Sequence, residues 1–282
     1  MKLFIILMVT LSICACQPDS QAKLVEEWST QKVLKTPESV LYIPERDELF
    51  IANINGNPSD ADGNGFLSVL SLTGDIKQLE WVSGLNAPKG MGYFGNTLYV
   101  TDINVLVEIS LDSAKIMNRY EAKEAQFLND IAIDDSGNVY ISDYSKDNSA
   151  IYRFCKDSME KWLFGPEVSA PNGLFMMDNK LAFGNTGDGK IKAVDLDDKN
   201  ISVLADPGSG ADGLKAIDKN GFIISNWAGR TDLVTMDGCV TELLNTTDQK
   251  INAADLEYIP EKNMVIIPTF SDNRVMAYRL VP

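Results

Sequence analysis

Six stretches of the chain align on one another, most closely where each begins: Thr36-Pro37-Glu38-Ser39-Val40, Ala87-Pro88-Lys89-Gly90-Met91, Leu128-Asn129-Asp130-Ile131, Ala170-Pro171-Asn172-Gly173-Leu174, Ala211-Asp212-Gly213-Leu214 and Ala253-Ala254-Asp255-Leu256. A unit of roughly 40 residues that reads as strands, with no helical stretch between units, cannot bury its apolar faces alone. It must stack on its neighbours around an axis, which predicts an all-β, six-bladed β-propeller. Equivalent positions then converge on that axis. Glu38, Lys89, Asn129, Asn172, Asp212 and Ala254 are therefore expected to form one ring, and that ring is the candidate site.

The third repeat shows the unit most clearly. Ile131-Ala132-Ile133, the turn Asp134-Asp135-Ser136-Gly137-Asn138, Val139-Tyr140-Ile141-Ser142 and Ala150-Ile151-Tyr152-Arg153-Phe154 read as three strands with turn chemistry between them. The sixth repeat ends after its third strand, and Lys23-Leu24-Val25-Glu26-Glu27-Trp28 has strand character. That N-terminal strand is expected to close the last blade and hide its edge. An insertion, Asn55 to Gly65, lies between the second and third strands of the first repeat and should border the funnel. Its Asp60-Ala61-Asp62-Gly63-Asn64-Gly65 opens like a calcium loop, but Ser71 stands where a bidentate Glu should close it, favouring a Gly-rich hairpin.

Residues 1–15 carry Lys2, an apolar run Leu3 to Ile13 and then Cys14-Ala15-Cys16, too short to span a bilayer and laid out as a signal peptide. Ile13-Cys14-Ala15-Cys16 resembles a bacterial lipobox with Cys16 as the lipidated residue. Residues 16–22 would then be a tether and 23–282 the propeller. Gln17 after the acylated cysteine resembles lipoproteins of the outer membrane, so the expected location is the bacterial cell envelope. Removing Lys2 with the signal takes the formal charge from −15 to −16, which argues against nucleic acid and leaves the lipid anchor as the only membrane contact. Cys155 and Cys239 fall in the third and fifth repeats, where a bridge would skip a blade, so both read as buried thiols. There is no histidine. Ser-His-Asp and Cys-His catalysis and His-ligated zinc are thereby removed.

Three nucleotide-like motifs fail on context. Gly184-Asn185-Thr186-Gly187-Asp188-Gly189-Lys190 lacks the following Ser/Thr and leads into a strand pattern where a P-loop needs a helix. Gly90 to Gly95 and Gly208 to Gly213 match a dinucleotide fingerprint, but each continues as a strand. Turn preference accounts for Gly90, Gly173 and Gly213 in this reading.

Glu38, Asn172 and Asp212 are oxygen donors suited to one hard divalent cation, two of them offsetting its charge. Asn129 and Asp130 add an amide and a carboxylate able to hold water or a substrate hydroxyl, and Lys89 could steady an oxyanion. Trp227 and Arg230, in the fifth repeat's funnel loop, are candidates for stacking and for holding an anion. Pro37-Glu38, Asn129-Asp130, Pro171-Asn172-Gly173-Leu174 and Asp212-Gly213, in repeats one, three, four and five, resemble the SMP-30/gluconolactonase/LRE-like family of six-bladed propellers over Thr36 to Leu280. The resemblance implies that Glu38, Asn172 and Asp212 bind one divalent metal (Ca, Mg, Mn or Zn), that Asn129 assists, and that Asp212 moves a proton in lactone hydrolysis. Ser39-Val40 replaces the family's usual Gly-Pro, and Phe127 stands where its enzymes often have Arg. The expected function is metal-dependent hydrolysis of a small lactone, ester or sugar lactone. The alternative is a non-catalytic NHL-like propeller that binds a glycan, peptide or protein partner.

Overall fold

The computed structural model describes residues 22–218 and 221–282. The expected signal peptide and lipidation site, residues 1–16, lie outside the described residues. Those residues form six four-stranded antiparallel sheets, each a blade built in sequence order from the axis outward. The inner strands are Pro37–Ile43, Pro88–Phe94, Leu128–Ile133, Pro171–Met177, Leu214–Asp218 and Glu257–Ile259. Blade six continues with Met264–Pro268 and Val275–Val281 and takes its outer strand, Lys23–Ser29, from the other end of the chain. The closing strand pairs Leu24 with Leu280 and Ser29 with Met276. Trp28 ties it to blade one by donating its indole N–H to the Leu72 carbonyl at 2.9 Å.

The core lies between blades. Phe50, Leu67 and Val69 of blade one pack against Met91, Leu98 and Val107 of blade two, and Leu49 and Ile51 pack on the other side against Ile266, Val275 and Ala277 of blade six. Alternating strand residues therefore face opposite neighbours, which is why both faces are apolar and the middle of each blade is fully buried.

Two features hold the inner strands at the axis. Thr101, Ser142 and Ser225 occupy the same place on three second strands. Thr101 Oγ1 donates to Asn129 O at 2.6 Å, Ser225 Oγ to Ala254 O, and Ser142 Oγ accepts the Asp130 N–H at 2.9 Å. One residue further on, Asn53, Asp102, Asp143 and Asn185 accept N–H bonds from the segment that leads into the inner strand, Asp102 from Asn86 and Ala87, and Asp143 from Gln126 and Phe127. The amide of Asn226, at that place in blade five, instead donates to Gly210 O at 3.2 Å.

The ring glycines do not serve as turn residues. A Cβ on Gly90 would stand 2.3 Å from Asn129 O, on Gly173 2.7 Å from Asp212 O, and on Gly213 2.5 Å from Leu256 N. They are required because adjacent inner strands approach too closely for any side chain. Lys190–Asp195 and Leu214–Asp218 are strands, as are the residues through Phe94, so none of the nucleotide-like motifs opens a helix. Cys155 is a free thiol, but Cys239 is disulfide-bonded, though not to Cys155, so the reading of both as thiols fails at Cys239; both residues are half-buried, not buried.

Candidate functional site

The start of each inner strand turns one residue toward the funnel, and the connections between second and third strands rise around it. The result is a cavity of about 520 Å³ at the axis. Its floor holds Glu38, Lys89, Asn129, Asn172 and Asp212, five of the six expected ring positions. The wall is apolar on most sides. Ile54, directly after the second strand of blade one, and Pro58, from the insertion that follows it, are joined by Tyr144 and Trp227 from the corresponding connections of blades three and five and by Phe270 from that of blade six. Phe127 enters from the approach to blade three.

The floor is short of donors. Asn172 Nδ2 donates to Asp212 Oδ1 at 2.5 Å, while Asn172 Oδ1 is a buried acceptor with no partner. Glu38 Oε2 is likewise buried without a partner. Burial pushes the Glu38 carboxyl well above its ordinary range, and the nearby Asp212 carboxylate pushes it further. Burial raises Asp212 to about 7, against the hydrogen bond from Asn172. Two orphaned acceptors beside a second carboxylate make a site that lacks positive charge. Among the described residues no three His, Cys, Asp or Glu side chains group as metal ligands; the set here is two carboxylates and an amide. Oxygen donors of that kind fit a hard divalent cation.

Lys89 does not supply the missing charge by contact. Its Nζ donates to Ala87 O at 3.1 Å and sits 4.4 Å from the Phe127 ring centroid, with only 1 % of the residue exposed and no ion pair to Glu38 among the described residues. Burial lowers it to about 8, partly opposed by the Glu38 and Asp102 charges.

Two expected site residues are elsewhere. Asp130 is buried under the floor, where its oxygens accept the Ile131 N–H at 2.7 Å and the Leu174 N–H at 2.6 Å. It belongs to a second polar layer with Asp255 and Glu257 around Lys215, whose Nζ is 3.7 Å from Glu257. It holds blades three and four together and cannot reach a ligand in the cup. Arg230 starts a third strand and turns to Asp232, at 2.9 Å, and Glu242 of its own blade, away from the cavity. Trp227 does line the cup. It is 49 % exposed and meets Phe270 edge to face at 5.5 Å.

Tyr144, Phe270 and Asn226 were not singled out by sequence reasoning. Tyr144 lies near enough to Asp212 for that carboxylate to help raise its hydroxyl's pKa, after burial. The repeated Asn or Asp that ends the second strand, at 53, 102, 143, 185 and 226, marks where each funnel connection begins and would have pointed to Tyr144 and Trp227.

The molecule is a six-bladed β-propeller with an acidic, apolar-walled cup at its axis. No protein-family model matches the sequence, and no curated protein matches it. Among solved structures it is similar to a streptogramin B lyase, with a TM-score of 0.64 and 13% identity over 92% of this chain and 97% of that one. It is also similar to a catalytically inactive histidine-to-alanine variant of virginiamycin B lyase from Staphylococcus aureus with quinupristin, with a TM-score of 0.61 and 13% identity over 93% and 99% of the two chains. At that identity the likeness extends to the fold.

Proposed function

We propose that the protein is a metal-dependent hydrolase of small lactones or esters, carried at the bacterial cell envelope on a lipid attached to Cys16. One observation carries the reading. Glu38 Oε2 and Asn172 Oδ1 are buried, unpartnered acceptors in the same cup as the Asp212 carboxylate, an arrangement that is costly unless a cation completes it. Glu38, Asn172 and Asp212 would hold that ion. A divalent cation in such a place supplies Lewis acidity toward a carbonyl and lowers the pKa of water from 15.7 to about 7 in the zinc case, less for harder ions. Asp212 would accept the proton of the attacking water, its carboxylate oriented by the hydrogen bond from Asn172. Lys89 and the Asn129 amide face the same space and would steady the oxygen on which charge develops.

The propeller neighbours include a lyase whose histidine-to-alanine variant is catalytically inactive. This chain has no histidine, so it cannot carry that site. Its titratable groups suit hydrolysis through carboxylate and metal instead. The test is a panel of lactones and esters assayed with Ca, Mg, Mn and Zn in turn. Turnover that depends on a stoichiometric ion supports the hydrolase. Absence of both turnover and ion leaves a propeller that binds a partner through the same funnel.

A further inference from the structure

The cup is divided by chemistry. Polar side chains occupy the floor, whereas most of the wall above them is Ile54, Pro58, Phe127, Trp227 and Phe270, with Tyr144, Thr186 and Asn226 its polar members. In a closed ring of six, blade three stands opposite blade six, so Phe127 and Phe270 line the cup from opposite blades. Phe270 is held at φ 46°, in the left-handed region that bulky residues avoid. The turn that holds it there is fastened on both sides. Asp272 pairs with Lys32 and Arg274, and Asn273 Oδ1 accepts the Thr36 N–H at 2.8 Å. A strained aromatic fixed at the mouth, against a half-exposed Trp227, is a wall set in advance for an apolar group.

A polyhydroxylated ring fits this wall poorly. Each hydroxyl taken from water needs a partner; Ile54, Pro58, Phe127 and Phe270 offer none, which leaves Tyr144, Thr186 and Asn226 too few to satisfy a ring hydroxylated at every carbon. Phe127 also covers the Lys89 ammonium on that side, with its ring centroid 4.4 Å from Nζ. Resting on the hydrolase reading above, we propose that the substrate is a lactone or ester bearing an alkyl or aryl substituent, with its carbonyl on the floor and the substituent between Phe127 and the Trp227–Phe270 pair, and that polyhydroxylated sugar lactones are discriminated against. Water adds to the carbonyl carbon, the bond from that carbon to the alcohol oxygen breaks, and that oxygen takes up a proton. The products are an acid and an alcohol, in one molecule for a lactone.

The experiment compares δ-valerolactones carrying alkyl chains of increasing length with glucono-δ-lactone, using the metal-loaded protein. Expected is a rise in kcat/KM of about three- to fourfold per methylene until the cavity fills, with the sugar lactone about tenfold or more below the longest chain. Trp227→Ala and Phe270→Ala should each flatten the chain-length dependence; the first serves alone should the second fail to fold. Equal or better turnover of the sugar lactone, or a chain-length dependence untouched by Trp227→Ala, overturns the proposal. With no hydrolysis of any compound the hydrolase reading fails by itself. Calorimetric binding of the matching non-cleavable δ-lactams then decides this one: tighter binding with longer chains upholds an apolar ligand, and no such trend rejects it.

Discussion

Glu38 and Asp212 disfavour one another's ionisation, and that conflict is readable in solution. Both carboxyls are raised by burial, Asp212 to about 7, with Asp130 at about 6 and Asp255 raised well above its usual range beneath them. A carboxyl whose folded pKa exceeds its unfolded value stabilises the fold fully below the unfolded pKa, and that contribution is lost as pH rises through the folded value. Lys89, lowered to about 8, is protonated in both states at pH well below that value and adds only a small opposing slope at the upper end of this range. With chelator present, the melting temperature is therefore expected to rise as pH falls from about 7.5 to about 5.5. With saturating divalent ion the trend should weaken or reverse, because protons then compete with the ion. A metal-independent pH profile would count against the site. Asn129→Ala should keep the ion and lose less activity than Asp212→Ala, which removes both a ligand and a proton acceptor and should cost at least about a hundredfold in turnover.

At the scale of elements, the inner strands approach one another so closely that side chains are excluded at fixed points. Gly90→Ala places a Cβ 2.3 Å from Asn129 O, a backbone atom that cannot step aside. The substitution should destabilise the fold by about 1–3 kcal/mol or more and displace Asn129 from the floor, measured by denaturant midpoint and by activity. Gly63→Ala, whose Cβ meets nothing within 4 Å but whose φ is +71°, should cost less and leave the site intact. Removing Leu24 to Trp28 exposes the edge of Val275–Val281 and takes Leu24 out of the core formed with Leu256 and Val265. A loss of several kcal/mol is expected, on the scale of about 25 cal/mol per Å² of apolar surface. An unchanged melting temperature would contradict the closure.

At the scale of the whole molecule, period and register were written plainly in the chain. Repeat starts aligned because each carries the same short entry into an inner strand, and five of the ring residues fall on one cavity floor for that reason. Direction was harder to read. Asn129 and Asp130 are adjacent, yet alternation along a strand sends one into the cup and the other into the layer below, and no motif says which. Arg230 is drawn off by Asp232 two residues on, a same-face pairing that strand periodicity could have suggested. Of the aromatic wall Trp227 was legible, whereas Tyr144 and Phe270 were missed because they come from connections of unlike length and sequence. The proposed lipid attachment at Cys16 adds a prediction of its own. Cys16→Ser should release the protein from membranes into the soluble fraction without acyl label, and continued labelling would reject the lipobox.

The presence of a cation on Glu38, Asn172 and Asp212 is tested most directly by calorimetric titration of chelator-stripped protein with Ca, Mg, Mn and Zn, set beside the same titration of Asp212→Ala. One ion per chain, bound by the native protein and lost in a variant that still melts cooperatively, is the predicted result. No binding of any of the four ions by the native protein, or equal binding by the variant, would contradict it.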